Sequence, residues 1–166
     1  MKTRLILIGA AVAALALMQP LAAATATSNV TVAATVSASA KLTIGAAGVT
    51  FPDADPETVT SINATEGAIT ILAKGRTSTS GSVTLTLKAA DDLISGSDTI
   101  AISNVTWTAS GTGFAAGTMN KTTAQTIGSW TGSGTHSGTA SFKLANSWDY
   151  ATGSYSVQAT YTLTAP

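Results

Sequence analysis

The sequence of 166 residues has no cysteine, few aromatic residues and few charges. Without cysteine no disulfide can staple the fold, so a packed core must stabilise it. Only 10% of the residues are charged, and the basic and acidic residues number eight each. A nucleic-acid-binding protein needs a basic face, which this balance does not supply. The composition therefore argues against disulfide-rich domains and against nucleic acid as a partner.

The first residues have the organisation of a secretory signal peptide. Lys2 and Arg4 form a positive start, the apolar stretch LILIGAAVAALAL follows, and Ala22-Ala23-Ala24 matches an A-x-A cleavage site. We predict that residues 1–24 are the signal peptide, with cleavage after Ala26 as the alternative. No later stretch is long and apolar enough to span a bilayer. The sequence thus predicts a protein that is secreted or held on a bacterial cell surface, with no membrane span in the mature chain.

The exported part is rich in threonine, serine, alanine, glycine and valine. Threonine and valine favour a pleated surface, and glycine favours turns. Several runs keep an apolar residue at every second position, which argues against disorder. Short strands separated by turns predict an all-β fold, an antiparallel immunoglobulin-like or Greek-key sandwich of about seven to nine strands with a long N-terminal strand.

That opening strand is the most unusual feature of the sequence. In the stretch from residue 28 to residue 44, every even position from 30 to 44 is apolar, which predicts one strand. We divide the exported chain into a segment that contains this strand (25–44) and a sandwich domain (45–166). Fifteen extended residues reach roughly 50 Å, whereas a domain of this size is roughly 35–40 Å across. Either the segment bends and serves both sheets of its own sandwich, or its first half adds as a strand to a neighbouring subunit.

Two stretches resemble bacterial surface-fibre subunits, a group that spans chaperone–usher pilins and spore-coat-U-like secreted proteins. They are the opening ATVSASAKLTI and the closing YATGSYSVQATYTLTAP, where Gly153-Ser154-Tyr155 precedes an alternating strand. The chain lacks the cysteine pair frequent in pilins. The resemblance implies self-association into a homopolymer such as a fimbrium, through a donor strand whose groove-filling residues are Val30, Val32, Ala34, Val36 and Ala38.

Catalytic and metal-binding residues are sparse. His136 is the single histidine, and its glycine-rich surroundings predict an exposed turn without a triad. We therefore expect no enzyme and no cofactor. One acidic loop places Asp53, Asp55 and Glu57 at alternate positions, which makes calcium a candidate ligand, although carboxylates in turns usually bind the backbone.

The three tryptophans supply the alternative function, a secreted glycan-binding or adhesin module. Trp107 alternates with Val105 and is expected in the core. Trp130 and Trp148 have glycine-rich or polar neighbours, and Tyr150 lies close in sequence. If Trp130, Trp148 and Tyr150 were exposed on one face, they would stack on a surface glycan and mediate cell adhesion.

Overall fold

The computed structural model describes residues 24–166, so the predicted signal peptide lies outside the described part except for Ala24. The chain divides into two units, one ending at Ala34 and one comprising Thr35–Pro166. In the first unit, residues 24–34 carry no assigned helix or strand, and each of them is exposed. The second unit contains all of the described secondary structure.

Ten strands and one short 3-10 helix, Ile102–Asn104, make up the second unit. No α-helix occurs among residues 24–166. The strands are β1 (Ser39–Ile44), β2 (Ser61–Arg76), β3 (Ser82–Ala89), β4 (Leu93–Ser95), β5 (Asp98–Ile100), β6 (Val105–Ser110), β7 (Gly117–Thr118), β8 (Gln125–Thr131), β9 (Gly134–Ala145) and β10 (Ala159–Thr164).

The strands form antiparallel sheets, which confirms the predicted all-β sandwich. One sheet has five strands in the order β1-β2-β9-β6-β7, and the other has three in the order β10-β3-β8. A two-stranded sheet of β4 and β5 lies apart from both. The structure has more strands than the predicted seven to nine. The ten strands include three very short ones, β4, β5 and β7, which are only two or three residues long.

The core lies between the two main sheets and follows the alternation of the sequence. In β3, Val83, Leu85 and Leu87 are buried, while the residues between them are more exposed. Opposite them, β2 contributes Ile71 and Ala73 from the same face. A period of two places every second side chain on one face, so each strand contributes an apolar row to the core.

The two lateral sides of the sandwich differ. On one side, residues 113–115 pair with β8: the amide of Ala115 donates to Ile127 (3.0 Å), and the amide of Ser129 donates to Gly113 (2.9 Å). On the other side, β1 and β10 are the outer strands of their sheets and no described strand lies between them. We call this open side the seam.

The opening strand is shorter than predicted. Only Ser39–Ile44 forms a strand, although the alternation begins at Val30. The reason lies in its partner, because Ser39 pairs with Arg76, the last residue of β2. No described residue before Ser39 is assigned to a strand or pairs with one. We call the unpaired residues 24–38 the tail.

Candidate assembly site

The seam is an incompletely covered part of the core. Leu42 and Ile44 of β1, and Tyr161 and Leu163 of β10, point toward the core but are only half-buried. The corresponding rows of the central strands β2 and β3 are buried. A sandwich normally covers its inner faces, because exposed apolar surface costs about 25 cal/mol per Å². The two facing edge strands therefore leave a gap in the packing.

A groove of about 1320 Å³ opens along this gap. Its apolar floor comes from both sheets, with Ile44, Ile62, Ile69 and Phe142 on one side and Leu87 and Tyr161 on the other. Its rim is formed by residues 46–54, 56, 146–148 and 150–158. Leu42 and Leu163 do not line it, so the groove is widest toward the end where β1 finishes and β10 begins.

At the narrow part of the seam, β1 and β10 approach within 8 Å of each other, measured between Cα atoms. No backbone pairing joins them, because β1 and β10 belong to different sheets. A strand placed between two others needs roughly twice the 4.7–4.9 Å spacing of paired strands. An additional full strand fits only if β1 and β10 also separate along this part.

Burial affects the chemistry of one phenol at the seam. Desolvation of the Tyr161 hydroxyl raises its pKa to about 12. The phenol is therefore neutral at physiological pH, and it contributes an amphipathic wall to the groove.

The predicted strand-donating residues are exposed. The exposed fractions of Val30, Val32 and Val36 are 83%, 91% and 70%, and Ala34 and Ala38 are also exposed. Isolated exposed apolar residues are ordinary, but these five stand at alternate positions of one segment and would share one face of it in an extended strand.

The acidic loop uses one of its carboxylates within its own turn. Asp55 accepts the amide of Glu57 at its Oδ1 atom (2.9 Å), and its carbonyl accepts the amides of Thr58 and Val59. Asp53, Asp55 and Glu57 do not converge, and residues 24–166 contain no group of three or more acidic or histidine side chains placed to hold a metal ion. Calcium binding by this loop remains a prediction.

The structure corrects the prediction for Trp130, which is buried rather than presented to a ligand. Its indole nitrogen donates to the carbonyl of Thr112 (2.8 Å). Phe114 meets the indole edge-on at 4.9 Å between ring centroids. Although its sequence neighbours are small and polar, the pocket that holds Trp130 comes from residues distant in the chain.

His136 is also placed differently from the exposed turn that the sequence predicted. It lies within β9, half-buried, and stacks on Trp130 with the ring centroids 4.4 Å apart. Its Nε2 atom is buried without a hydrogen-bond partner in the described structure. The histidine therefore packs as an aromatic ring, and no carboxylate orients it.

The other two aromatic residues proposed for glycan binding differ in how exposed they are. Trp148 is 70% exposed at the rim of the groove, whereas Tyr150 is half-buried. The Tyr150 hydroxyl accepts from Asn104 (2.9 Å) and donates to the carbonyl of Ala145 (3.0 Å). Burial is the main cause that raises the pKa of Tyr150. Because Trp130 is buried, the two tryptophans do not form an exposed aromatic face. Trp107 is in the core, as predicted.

The groove is the feature that sequence analysis missed. Its lining residues come from strands far apart in the chain, and only the pairing of the strands shows that β1 and β10 face each other. The available signal was the pair of alternating segments at the two ends of the sequence, which the resemblance had singled out.

The chain was compared with known proteins, and no protein-family model, curated protein or solved structure matches it. Within residues 24–166 there is also no helix with the length and apolar character needed to traverse a bilayer.

Proposed function

We propose that the chain is a structural subunit of a bacterial extracellular filament or surface coat. In this proposal, the tail of one copy adds as a strand to the seam of the next copy. The observation that carries the proposal is the open seam, where the two outer strands, β1 and β10, leave their inward-facing apolar residues only half-buried. The predicted signal peptide and the resemblance to surface-fibre subunits support the same function.

The backbone supplies the first argument. An outer strand presents unpaired amide and carbonyl groups, which natural proteins cover or use for pairing with another chain. A strand inserted at the seam would pair with β1 on one side and with β10 on the other. This is β-augmentation, in which backbone hydrogen bonds supply affinity and alternate side chains fill pockets.

The side chains supply the second argument. The groove of about 1320 Å³ exceeds the roughly 300–1,000 Å³ of ordinary ligand pockets, which favours a segment of polypeptide as the occupant. The row from Val30 to Ala38 is roughly 30 Å long when extended, comparable with β10 and the residues before it. Full burial of one valine contributes about 1.5–3 kcal/mol.

The occupant is the tail of another copy rather than the subunit's own tail. To enter its own seam, the tail would have to reverse direction directly before β1. Tight hairpins need glycine, asparagine, aspartate or proline at the turn, and residues 30–44 contain none of these. Insertion into a neighbour requires no reversal, and head-to-tail contacts that do not close produce filaments.

Exchanging the side chains of the row tests the proposal. A variant carrying Val30→Thr, Val32→Thr and Val36→Thr keeps the shape and β-propensity of the tail but makes its apolar row polar. A matched control carries Thr31→Val and Thr35→Val, on the opposite face of the same segment. We expect light scattering to show that the control and the wild type assemble and that the triple variant does not. Equal assembly of the triple variant and wild type would contradict the proposal.

A further inference from the structure

We infer that the donated tail runs through the seam in one direction only, which docks the donor's basic end on the acceptor's acidic end. This inference rests on the proposed function and adds the polarity of the contact. The tail end of the sandwich holds Ser39, Arg76 and Thr164. The far end holds Ile44, Ser61 and Ala159.

The tail end carries unpaired positive charge. Lys41 on β1 lies directly opposite Lys74 on β2, and both are exposed on the outer face of the sheet. Arg76 lies two residues further along the same face of β2. Like charges directly opposite each other destabilise a sheet, and none of the three has a salt-bridge partner in the described structure. Within residues 24–166, these three cations therefore make no salt bridge.

The far end is acidic overall, because its eight carboxylates outnumber its three lysines, Lys88, Lys121 and Lys143. All eight acidic residues lie in the first half of β2 or in connections that leave the strands at this end, residues 46–60, 90–104 and 146–158. Three of them, Asp53, Asp55 and Glu57, are exposed, Asp53 at the rim of the groove and the other two next to it. Lys121 pairs with Asp91 and Asp92, but Lys121 makes no salt bridge to the acidic loop 53–57.

The topology allows two directions of insertion with different consequences. The chain of β1 runs from the tail end to the far end, and β10 runs the opposite way. A tail that runs parallel to β1 leaves the acceptor at its far end, so the donor's tail end meets the acceptor's far end. A tail that runs parallel to β10 leaves at the tail end, so two tail ends meet.

Charge selects between these directions. The first places Lys41, Lys74 and Arg76 of the donor next to the acidic loop of the acceptor. The second brings two clusters of cations together, which costs free energy at low ionic strength. The first arrangement repeats without closing and builds a filament, whereas the second permits two copies to exchange tails and close as a dimer.

Cysteine cross-linking measures the direction, because the natural chain contains no cysteine. Three single variants are used: Ser37→Cys near the end of the tail, Ser154→Cys at the far end and Thr164→Cys at the tail end. All three positions are exposed. We expect a mixture of the Ser37→Cys and Ser154→Cys proteins to form a disulfide-linked heterodimer on oxidation. A heterodimer from Ser37→Cys and Thr164→Cys instead would overturn the inference.

Charge reversal tests the cause of the direction. One protein carries Lys41→Glu and Lys74→Glu, which retains a like-charge pair across β1 and β2. A second carries Asp53→Lys and Glu57→Lys and keeps Asp55, which accepts a hydrogen bond within the turn. At low ionic strength we expect each variant alone to elongate at least about tenfold more slowly than wild type, and a protein with all four exchanges to recover.

The failure of this inference differs from failure of the proposed function. If wild type assembles through its tail and the reversed variants elongate at the wild-type rate, the charge docking is wrong and the proposed function stands. If neither wild type nor any variant assembles, both the proposed function and this inference are wrong.

Discussion

The indole of Trp130 lies flat on the imidazole of His136, with their planes inclined by 8°. Trp130 belongs to β8 and His136 to β9, so this stack joins the two sheets near the turn between these strands. The ring of His136 contributes packing area against Trp130, while its buried Nε2 atom has no hydrogen-bond partner among the described residues.

The stack predicts opposite effects for two substitutions. His136→Phe keeps an aromatic ring against Trp130 and removes the unpaired nitrogen, so we expect unchanged or higher stability. His136→Ala removes the ring and lowers the free energy of unfolding by about 1–3 kcal/mol. Urea unfolding followed by tryptophan fluorescence measures both. Equal destabilisation by the two substitutions would show that the ring packing contributes little.

A second prediction concerns the close approach of Gly117 to Trp107. A Cβ atom at Gly117 would lie 2.4 Å from the indole, whose nitrogen donates to the carbonyl of Ala115. Because Trp107 is almost completely buried, it has little room to move. We expect Gly117→Ala to cost about 1–3 kcal/mol. Gly48→Ala is the control, since a Cβ atom there meets nothing within 4 Å. Calorimetric unfolding compares the two.

The Lys121 ion pairs predict a dependence on acid. The Lys121 ammonium donates to Asp91 and Asp92 and lowers the pKa of each below the ordinary value of 3.8. Groups with lowered pKa values stabilise the fold above their unfolded pKa, and this stabilisation is lost as the pH falls through the folded pKa. We expect Lys121→Met to reduce the loss of stability below about pH 4, because unfolding then involves less proton uptake. Urea midpoints at pH 7 and pH 3 test this expectation; identical pH dependence in both proteins would contradict it.

Tyr161 predicts the opposite dependence at alkaline pH. Burial raises its pKa to about 12 from an ordinary value of 10, so the folded state keeps its proton longer than the unfolded state does. The stabilisation is complete below pH 10 and decreases as the pH rises through the unfolded value toward the folded one. We expect wild type to lose more stability than Tyr161→Phe between pH 10 and 12. Phenolate absorbance of the folded protein provides an independent measurement of the pKa.

Local patterns predicted the central strands well. The apolar alternation of residues 82–89 coincides with the bounds of β3, because this strand has partners on both sides. The closing alternation spans residues 154–165, but β10 begins only at Ala159, since Ser156 bridges to Ile94 in the short β4 instead. Alternation identifies a segment able to form a strand, whereas the available partner determines where the strand starts.

The candidate site and the tryptophan environments depend on long-range packing. Nothing near Trp130 in sequence shows that Gly113 leaves space for its indole, where a Cβ atom would come within 2.2 Å. In the same way, no local pattern distinguishes an outer strand from an inner one. The tail's apolar row was visible in the sequence, but the groove that would accept it was not.

Negative-stain electron microscopy tests whether the protein assembles through its tail. It compares the exported protein with a variant that lacks residues 25–38. Circular dichroism first establishes that the shortened protein keeps its sheets. If the tail adds as a strand to the next copy, the full exported chain forms filaments and the shortened one stays a folded monomer. Monodisperse monomers from both proteins would contradict it and direct attention to sugar binding at Trp148. Filaments from both would show that assembly does not use the tail.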